Sequence, residues 1–519
     1  MNRAKKYFFN ALLLSCVTIV MRAVSVSFNA YVTQKIGSEA VGLFTLVMSV
    51  YAFAITLATS GVNLAAVRLT AEKLAYCEEH HSSEKALKKA LRGEMLGCII
   101  YSLFFGIFSA FLLHILSSVI GIYLLQDPRT VLSLKVLSFA LPAISLSSAL
   151  AGYFTGLRKV YKNAVISFVE QIIKIGITSM ALVFIAPRGI EYACLSVVGG
   201  SAISEGASLI LSFMLYIIDK NKGYGTSEKR SEHGESALSR AFNIAFPVAA
   251  GSYVRQGLLC AEHIAIPAGL RKFGSGGSGA LSSYGTLHAM AFPLIFFPTS
   301  VIGAFASLLI PELCEFESLG QEKQVKRISE KVVRTSLLFS ICCAGIFLAF
   351  GKELGQSIYS NGEAGRYIRA FAPLVPVMYL DTAVDSVLKG IGKQLYCMKV
   401  NIADSFLSLV LVLILVPKFG TSGYVVCVYA AELINAALSI GKMITETKAK
   451  ISLSWILRPL CSILISVISV KLISSYFSFF DETYLKLPLC VLVYSALIIP
   501  KGVFFIKKSY KREKATITP

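Results

Sequence analysis

Charged side chains interrupt several long apolar runs of this sequence. Arg22 lies well inside the first run, and Arg255 lies well inside a run near the middle of the chain. A charge at the centre of a bilayer costs about 2.5 kcal/mol or more, so such residues usually face the interior of a helix bundle or a water-filled cavity. The two arginines therefore predict either a site that binds anionic groups or ion pairs between helices.

Carboxylates form a second set of charges within apolar runs. Glu170 and Lys174 stand four residues apart on one helical face, and Asp381, Asp385 and Lys389 follow one face of a later helix, so local salt bridges are the simpler interpretation. A cation or proton coupling site is the alternative, and its candidate residues are Glu170, Glu205, Glu262, Asp381, Asp385, Asp404 and Glu432. Glu262 follows Arg255 by seven residues on the same face, where it would tune that arginine or gate the outer end.

The elements that position these charges are membrane-spanning helices. Of the 519 residues, 55 % are hydrophobic and only 15 % are charged, whereas soluble domains carry about 25 % charge. Apolar runs of about 18 residues or more are typical of membrane spans. The sequence thus predicts an all-α polytopic membrane protein. Its predicted spans number about fourteen, near 8–30, 41–67, 95–118, 132–156, 163–186, 191–218, 241–265, 283–310, 332–350, 367–388, 400–416, 423–441, 452–474 and 487–506.

The loops between these spans alternate in charge. One set of loops, together with both termini, holds most of the 50 Lys and Arg residues. Positive loops stay in the cytoplasm, so both termini are expected inside a bacterial cytoplasmic membrane. The net charge of +20 is explained by topology and by attraction to anionic membrane lipids, and it does not indicate nucleic acid. The twelve cysteines lie mainly inside apolar runs, and we expect no metal site and no cofactor.

An internal repeat divides the chain. Arg22 and Arg255 correspond at an offset of 233 residues, and Thr59-Ser60 and Thr299-Ser300 correspond at 240. Four further pairs share an offset of 234, namely Pro142 and Pro376, Gly156 and Gly390, Lys159 and Lys393, and Glu170 and Asp404. Each half has six spans, so the halves share one orientation and are expected to surround a central cavity that opens by alternating access. The predicted regions are an N-lobe (1–218), a cytoplasmic linker (219–240), a C-lobe (241–445), and two C-terminal helices with a basic tail (446–519).

Prolines interrupt several predicted spans. Proline removes a backbone hydrogen bond and kinks a helix. Pro142, Pro293, Pro298 and Pro376 are therefore candidate hinges in a rocking transporter, and static kinks are the alternative.

Four stretches carry a family resemblance. They are "KIGSEAVGLFTLVMSVYAFAITLATSGVNLAAVRLTAE" (35–72), "GYFTGLRKVYKNAVISFVEQIIKI" (152–175), "AMAFPLIFFPTSVIGAFASLLIPEL" (289–313) and "LKGIGKQLYCMKVNIAD" (388–404). Over about residues 5–445 the chain resembles the stage V sporulation protein B group of polysaccharide flippases, in the multidrug/oligosaccharidyl-lipid/polysaccharide exporter superfamily. MurJ-type lipid II flippases are related to that group.

The resemblance implies a fourteen-span, two-lobed flippase without enzymatic activity. Its substrate would be an undecaprenyl-linked saccharide or peptidoglycan precursor, moved from the cytoplasmic to the outer leaflet for cell-wall, spore-cortex or surface-polysaccharide synthesis. The membrane potential or a gradient of H⁺ or Na⁺ would drive the movement.

The resemblance also implies a role for three arginines. Arg22 matches a basic position of the family's first span, and Arg68 in "RLTAE" is similar to the basic residue that ends its second span. With Arg255, these residues would hold the head-group phosphates, because guanidinium groups make forked, charge-assisted hydrogen bonds to phosphate oxygens. A second basic position of the first span is replaced here by Phe28-Asn29.

Three other functions remain open at this point. A cation-coupled multidrug efflux antiporter of the same superfamily is the main alternative, although that group usually has twelve spans. A membrane glycosyltransferase or polymerase would need paired acids or a metal motif in a sizeable loop. A scaffold of a sporulation or division complex would tolerate loss of Arg22 and Arg255.

Overall fold

A computed structural model describes residues 3–79, 84–221 and 237–457, with 459–461, 463 and 467–468 beyond them. Within this part of the chain every regular element is a helix, which confirms the predicted class. The α-helices are Arg3–Thr59, Val62–Glu79, Glu84–Val119, Thr130–Ser138, Leu141–Gly156, Val160–Phe184, Ile190–Asn221, Ala237–Phe273, Gly276–Gly285, Phe292–Phe296, Thr299–Ser318, Glu322–Tyr359, Gly362–Phe371, Val375–Gly390 and Gln394–Thr447. Short π-helices cover Ile120–Leu124 and Thr286–Ala291, and 3-10 turns cover Ala186–Arg188 and Ala372–Leu374.

Among the described residues, seven helices are long and apolar enough to cross a membrane, or nine if each of two bent pairs is one span. Two of the seven contain a glycine with non-helical backbone angles, Gly37 (φ 80°) and Gly420 (φ 60°). These glycines lie between predicted spans 1 and 2 and between spans 11 and 12, so each long helix holds two spans. Span 7, Ala237–Phe273, is less apolar and is not among the seven. The chain is a multi-pass membrane protein. Spans 13 and 14 lie mostly outside the described residues, and the total of fourteen stays a prediction.

Three spans are broken or bent inside. Span 2 breaks at Ser60 (φ 44°) and Gly61 (φ 74°) and resumes as Val62–Glu79, a break that the apolar pattern does not predict. Span 4 bends by 45° between Thr130–Ser138 and Leu141–Gly156, next to Pro142. Span 8 bends by 46° at Pro298.

The other two candidate hinge prolines lie in first turns. Pro293 is the second residue of Phe292–Phe296, and Pro376 is the second residue of Val375–Gly390. A first turn tolerates proline because its N–H groups have no partner within the helix. Movement at any of the four prolines stays a prediction.

The described chain forms two compact units. One contains residues 35–285, and the other contains residues 1–34 and 286–519. Compared with the predicted lobes, span 1 groups with the second half and span 7 groups with the first half. The exchanged spans are counterparts in the repeat, since they carry Arg22 and Arg255 respectively. The exchange therefore keeps six of the first twelve spans in each unit.

Each half of the repeat carries a carboxylate that pairs with two lysines at the end of its sixth span. In the first, Asp219 accepts from Lys159 at 2.9 Å and from Lys162 at 2.6 Å. In the second, Glu446 accepts from Lys393 at 3.1 Å and from Lys442 at 2.8 Å. Lys159 and Lys393 are a predicted repeat pair, so both halves tie the basic turn after their fourth span to the end of their sixth. The basic residues of these turns thus make internal contacts.

The two ion pairs differ in burial, and this difference predicts their contributions to stability. The Asp219 and Lys162 side chains are 10 % and 9 % exposed, whereas the Glu446 and Lys442 side chains are 27 % and 33 % exposed. Asp219→Ala leaves the buried ammonium of Lys162 without its carboxylate partner and is expected to lower the free energy of unfolding by about 3 kcal/mol. Glu446→Ala breaks a more solvent-exposed pair and should lower the free energy of unfolding much less. Thermal unfolding in detergent measures both, and an equal or reversed order would contradict the prediction.

Candidate functional site

Arg22 and Arg255 are exposed side chains within their helices. Within the described part of the chain, neither guanidinium makes a hydrogen bond or an ion pair. Arg22 belongs to the unit that contains residues 1–34, and Arg255 belongs to the other unit. The ion-pair alternative therefore finds no support for these two arginines, and both keep their donors available for an anionic ligand.

Arg68 differs from the other two arginines because it has a partner. Its Nε donates to Glu72 Oε1 at 2.8 Å, and the two side chains are 64 % and 52 % exposed. An exposed pair four residues apart is worth about 0.5 kcal/mol. Arg68 can exchange this partner for a phosphate at small cost.

Four of the predicted carboxylates gather in the second unit. Asp381 of span 10 lies within electrostatic range of Asp385 and Asp404, and Glu432 of span 12 lies within range of Asp381 and Asp404. Asp385 is neutralised locally by Lys389 at 3.0 Å, as its i, i+4 spacing predicts. The cluster thus joins acids from three spans, which spacing along single helices does not reveal.

An asparagine that the sequence reasoning missed completes this cluster. Asn435 Nδ2 donates to Asp381 Oδ2 at 3.0 Å, and Asn435 is 6 % exposed. The buried oxygens Asp381 Oδ1 and Asn435 Oδ1 have no hydrogen-bond donor among the described residues. An unsatisfied buried polar group costs about 1–3 kcal/mol, so a proton or small cation would be stabilised here. Across the residues described, no three His, Cys, Asp or Glu side chains converge as ligands of a metal ion.

The remaining predicted carboxylates lie in the first unit. Glu170 of span 5 accepts a hydrogen bond from Ser208 of span 6, and Lys174 lies within electrostatic range of Glu170 and Glu205. Glu262 of span 7 acts electrostatically on Tyr284, whose hydroxyl bonds to Nδ1 of the adjacent His263 at 2.8 Å. Glu170, Glu205 and Lys174 therefore form a mixed cluster of two acids and a lysine in the first unit.

The break in span 2 is held by tyrosines that the sequence reasoning also missed. The Ser60 hydroxyl bonds to the hydroxyls of Tyr101, at 2.9 Å, and of Tyr253. Tyr101 also approaches the Ser60 carbonyl oxygen at 2.9 Å. Tyr253 lies two residues before Arg255, so the break in span 2 is bonded to the part of span 7 that carries the arginine.

The sequence is similar to a known protein family and to two sporulation proteins. The profile of the family described as polysaccharide biosynthesis protein matches residues 8–243. Stage V sporulation protein B of Bacillus subtilis (strain 168) is 24 % identical over 424 residues, which cover 81 % of this chain and 80 % of that protein. Sporulation protein YkvU of the same organism is 19 % identical over 252 residues, covering 49 % of this chain and 56 % of that one. The predicted resemblance is confirmed.

Solved structures agree on the fold. The lipid II flippase MurJ in an inward closed conformation matches with a TM-score of 0.70 at 14 % identity, covering 96 % of this chain and 99 % of that one. An inward-facing multidrug resistance MATE family transporter of the MOP superfamily matches with a TM-score of 0.63 at 11 % identity, covering 84 % and 98 %. At these identities the likeness concerns the fold alone, and the chain has the fold shared by MurJ and MATE transporters.

Proposed function

We propose that the protein is a flippase that moves a lipid-linked saccharide or peptidoglycan precursor from the cytoplasmic to the outer leaflet by alternating access. The observation that carries the proposal is the similarity to stage V sporulation protein B over 81 % of the chain. The fold likeness to MurJ over 96 % of the chain supports the same function. Cell-wall, spore-cortex or surface-polysaccharide synthesis would use the product, and both termini would be cytoplasmic.

We propose that the substrate is bound by arginines, two of which have no partner among the described residues. Arg22 and Arg255, with Arg68 as a third donor, would hold the phosphates of an undecaprenyl-linked head group through forked hydrogen bonds. The saccharide would cross in a polar cavity while the lipid tail stayed in the bilayer. No bond is made or broken in such a cycle, so the protein needs no catalytic residue and no cofactor.

We propose that the carboxylate cluster couples the conformational change to an ion gradient. Protonation of Asp381, Asp404 or Glu432, or binding of Na⁺ beside Asp381 and Asn435, would change the charge of the second unit and so favour one conformation over the other. The observation that favours this cluster as the coupling site is that the buried oxygens of Asp381 and Asn435 have no donor in the part of the chain that the structure describes.

Translocation in proteoliposomes tests the proposal. The purified protein would be reconstituted with fluorescent undecaprenyl-linked saccharides, and the outer-leaflet fraction would be followed with and without a gradient of H⁺ or Na⁺. We expect gradient-dependent movement of at least one such lipid. Failure to move any of them would contradict the flippase function.

A cation-coupled multidrug efflux antiporter is the second candidate. The likeness to MATE transporters favours it, although that likeness covers 84 % of the chain against 96 % for MurJ. Expression in a pump-deficient host distinguishes the two candidates, since an antiporter would raise resistance to cationic drugs and a flippase would not.

A further inference from the structure

The two halves carry matching polar positions on their last two spans. A glutamate is followed three and seven residues later by Ser or Asn in each case: Glu205, Ser208 and Ser212 in span 6, and Glu432, Asn435 and Ser439 in span 12. On the preceding span, Glu170 corresponds to Asp404 at an offset of 234. The same offset relates Lys174 to Ser408, and here the two halves differ in charge.

The packing of spans 5 and 6 fixes where Lys174 lies. A Cβ on Gly200 would lie 3.1 Å from the backbone nitrogen of Thr178, so the helices nearly touch at this level. The helices are antiparallel, because the short connection 185–189 joins them. One turn from the crossing, Lys174 therefore faces Glu205, and two turns away Glu170 faces Ser208, as their hydrogen bond confirms. Lys174 supplies a positive charge between two carboxylates.

The equivalent register in spans 11 and 12 places a neutral residue opposite the glutamate. Applying the repeat offsets puts Ser408 opposite Glu432 and Asp404 opposite Asn435. Val412 and Cys427, the counterparts of the crossing residues Thr178 and Gly200, are both fully buried, as close packing at that level requires.

The second unit also has an additional acid at this level. Asp381 has Ser147 as its counterpart in the first half. At these equivalent positions the first half has two acids and one lysine, whereas the second half has three acids. Among the described residues, Asp385 and Asp404 act electrostatically on Asp381, and Asp381 and Asp404 act on Glu432. Asp385 is itself bonded to Lys389.

We infer that the ammonium group of Lys174 permanently provides the positive charge of the site in the first half. The equivalent site in the second half must instead bind a positive charge from solution, as a proton or as Na⁺. Only the second half would then respond to an ion gradient. The buried oxygens of Asp381 and Asn435, which have no donor among the described residues, mark the place in the second half where a positive charge would bind. This inference rests on the ion coupling of the proposed function and adds that duplication has left one responsive site and one fixed site.

Reciprocal exchange of the two residues tests the inference. The thermal unfolding midpoint of purified protein in detergent would be followed against Na⁺, with choline chloride at constant ionic strength, and separately against pH without Na⁺. A ligand that binds the native state raises the midpoint in proportion to the logarithm of its concentration above its dissociation constant. The arm that moves the wild-type midpoint identifies the ion.

Each variant has a defined expected result. Ser408→Lys should abolish the wild-type response, and Lys174→Ser should steepen its slope because the two carboxylates of the first half then also lack a positive charge. Lys174→Arg keeps the charge and should behave as wild type. Where a variant does not fold, Lys174→Gln replaces Lys174→Ser with the same expectation, and Glu432→Gln replaces Ser408→Lys with an expected loss of response.

Three outcomes would overturn the inference: no response of the wild type to either ion, a response that survives Ser408→Lys, or an unchanged slope in Lys174→Ser. The measurement does not involve lipid-linked substrate. A protein that shows the reciprocal response but moves no lipid-linked saccharide would contradict the proposed substrate and leave the role of Lys174 standing.

Discussion

Alanine at Arg22 or Arg255 is expected to slow translocation of a lipid-linked saccharide by about 10- to 100-fold, since a hydrogen bond between charged groups contributes about 1.5–3 kcal/mol. Both guanidiniums lack a protein partner in the described chain, so their loss leaves no buried carboxylate unpaired. The defect should therefore appear in transport and not in the unfolding midpoint.

Two further variants give this prediction its controls. Lysine at either position keeps the charge but loses the planar fork, so it should restore transport only in part. Arg366 is an exposed arginine paired with Glu363 at 2.9 Å, and Arg366→Ala should leave transport unchanged. Initial rates in proteoliposomes at equal protein density measure all of these. Wild-type rates in both alanine variants would remove the arginines from the site and leave the fold class intact.

The features that sequence predicted well are those set by local patterns. Long apolar runs specify helices wherever they lie, because a backbone in lipid must satisfy its own hydrogen bonds. The breaks at Gly37 and Gly420 fall within the predicted loops, since glycine there adopts positive φ at little cost. The repeat offsets predicted that Lys159 and Lys393 are equivalent, and both form ion pairs with the end of the sixth span of their half.

The features that sequence did not predict depend on contacts between distant residues. The apolar pattern continues across Ser60, and the break there is held by Tyr101 and Tyr253, which are 41 and 193 residues away. Likewise, the spacing of Asp381, Asp385 and Lys389 along a single helix predicts a series of local salt bridges. In the fold Asp381 instead bonds to Asn435, 54 residues later. Helical periodicity shows which residues lie on the same face of one helix, but it does not show which other helix packs against that face.

A close crossing of two helices in the first unit predicts the largest effect on folding. Span 2 begins with Ser38 and Gly42, a pair of small residues four apart, and the start of span 8 carries Ser282 and Gly285. The Ser38 and Ser282 hydroxyls are 2.6 Å apart. A Cβ on Gly42 would overlap the carbonyl oxygen of Leu281. Small residues let helix backbones approach in this way within membranes.

Leucine at Gly42 or Gly285 should therefore separate the two helices and prevent stable folding of the unit. A Cβ on Gly285 would lie 2.7 Å from the backbone nitrogen of Gly42, and a backbone atom cannot turn away as a side chain can. Even alanine is expected to cost about 3 kcal/mol, at the upper end for overpacking. The matched control is Gly176 in span 5, where an added Cβ would have no atom of the described residues within 4 Å. Gly176→Ala should be neutral or stabilise the helix by about 0.5–1 kcal/mol. Yield of monodisperse protein and its unfolding midpoint measure the series. Equal midpoints for Gly42→Ala and Gly176→Ala would show that the helices do not cross at this point in the folded protein.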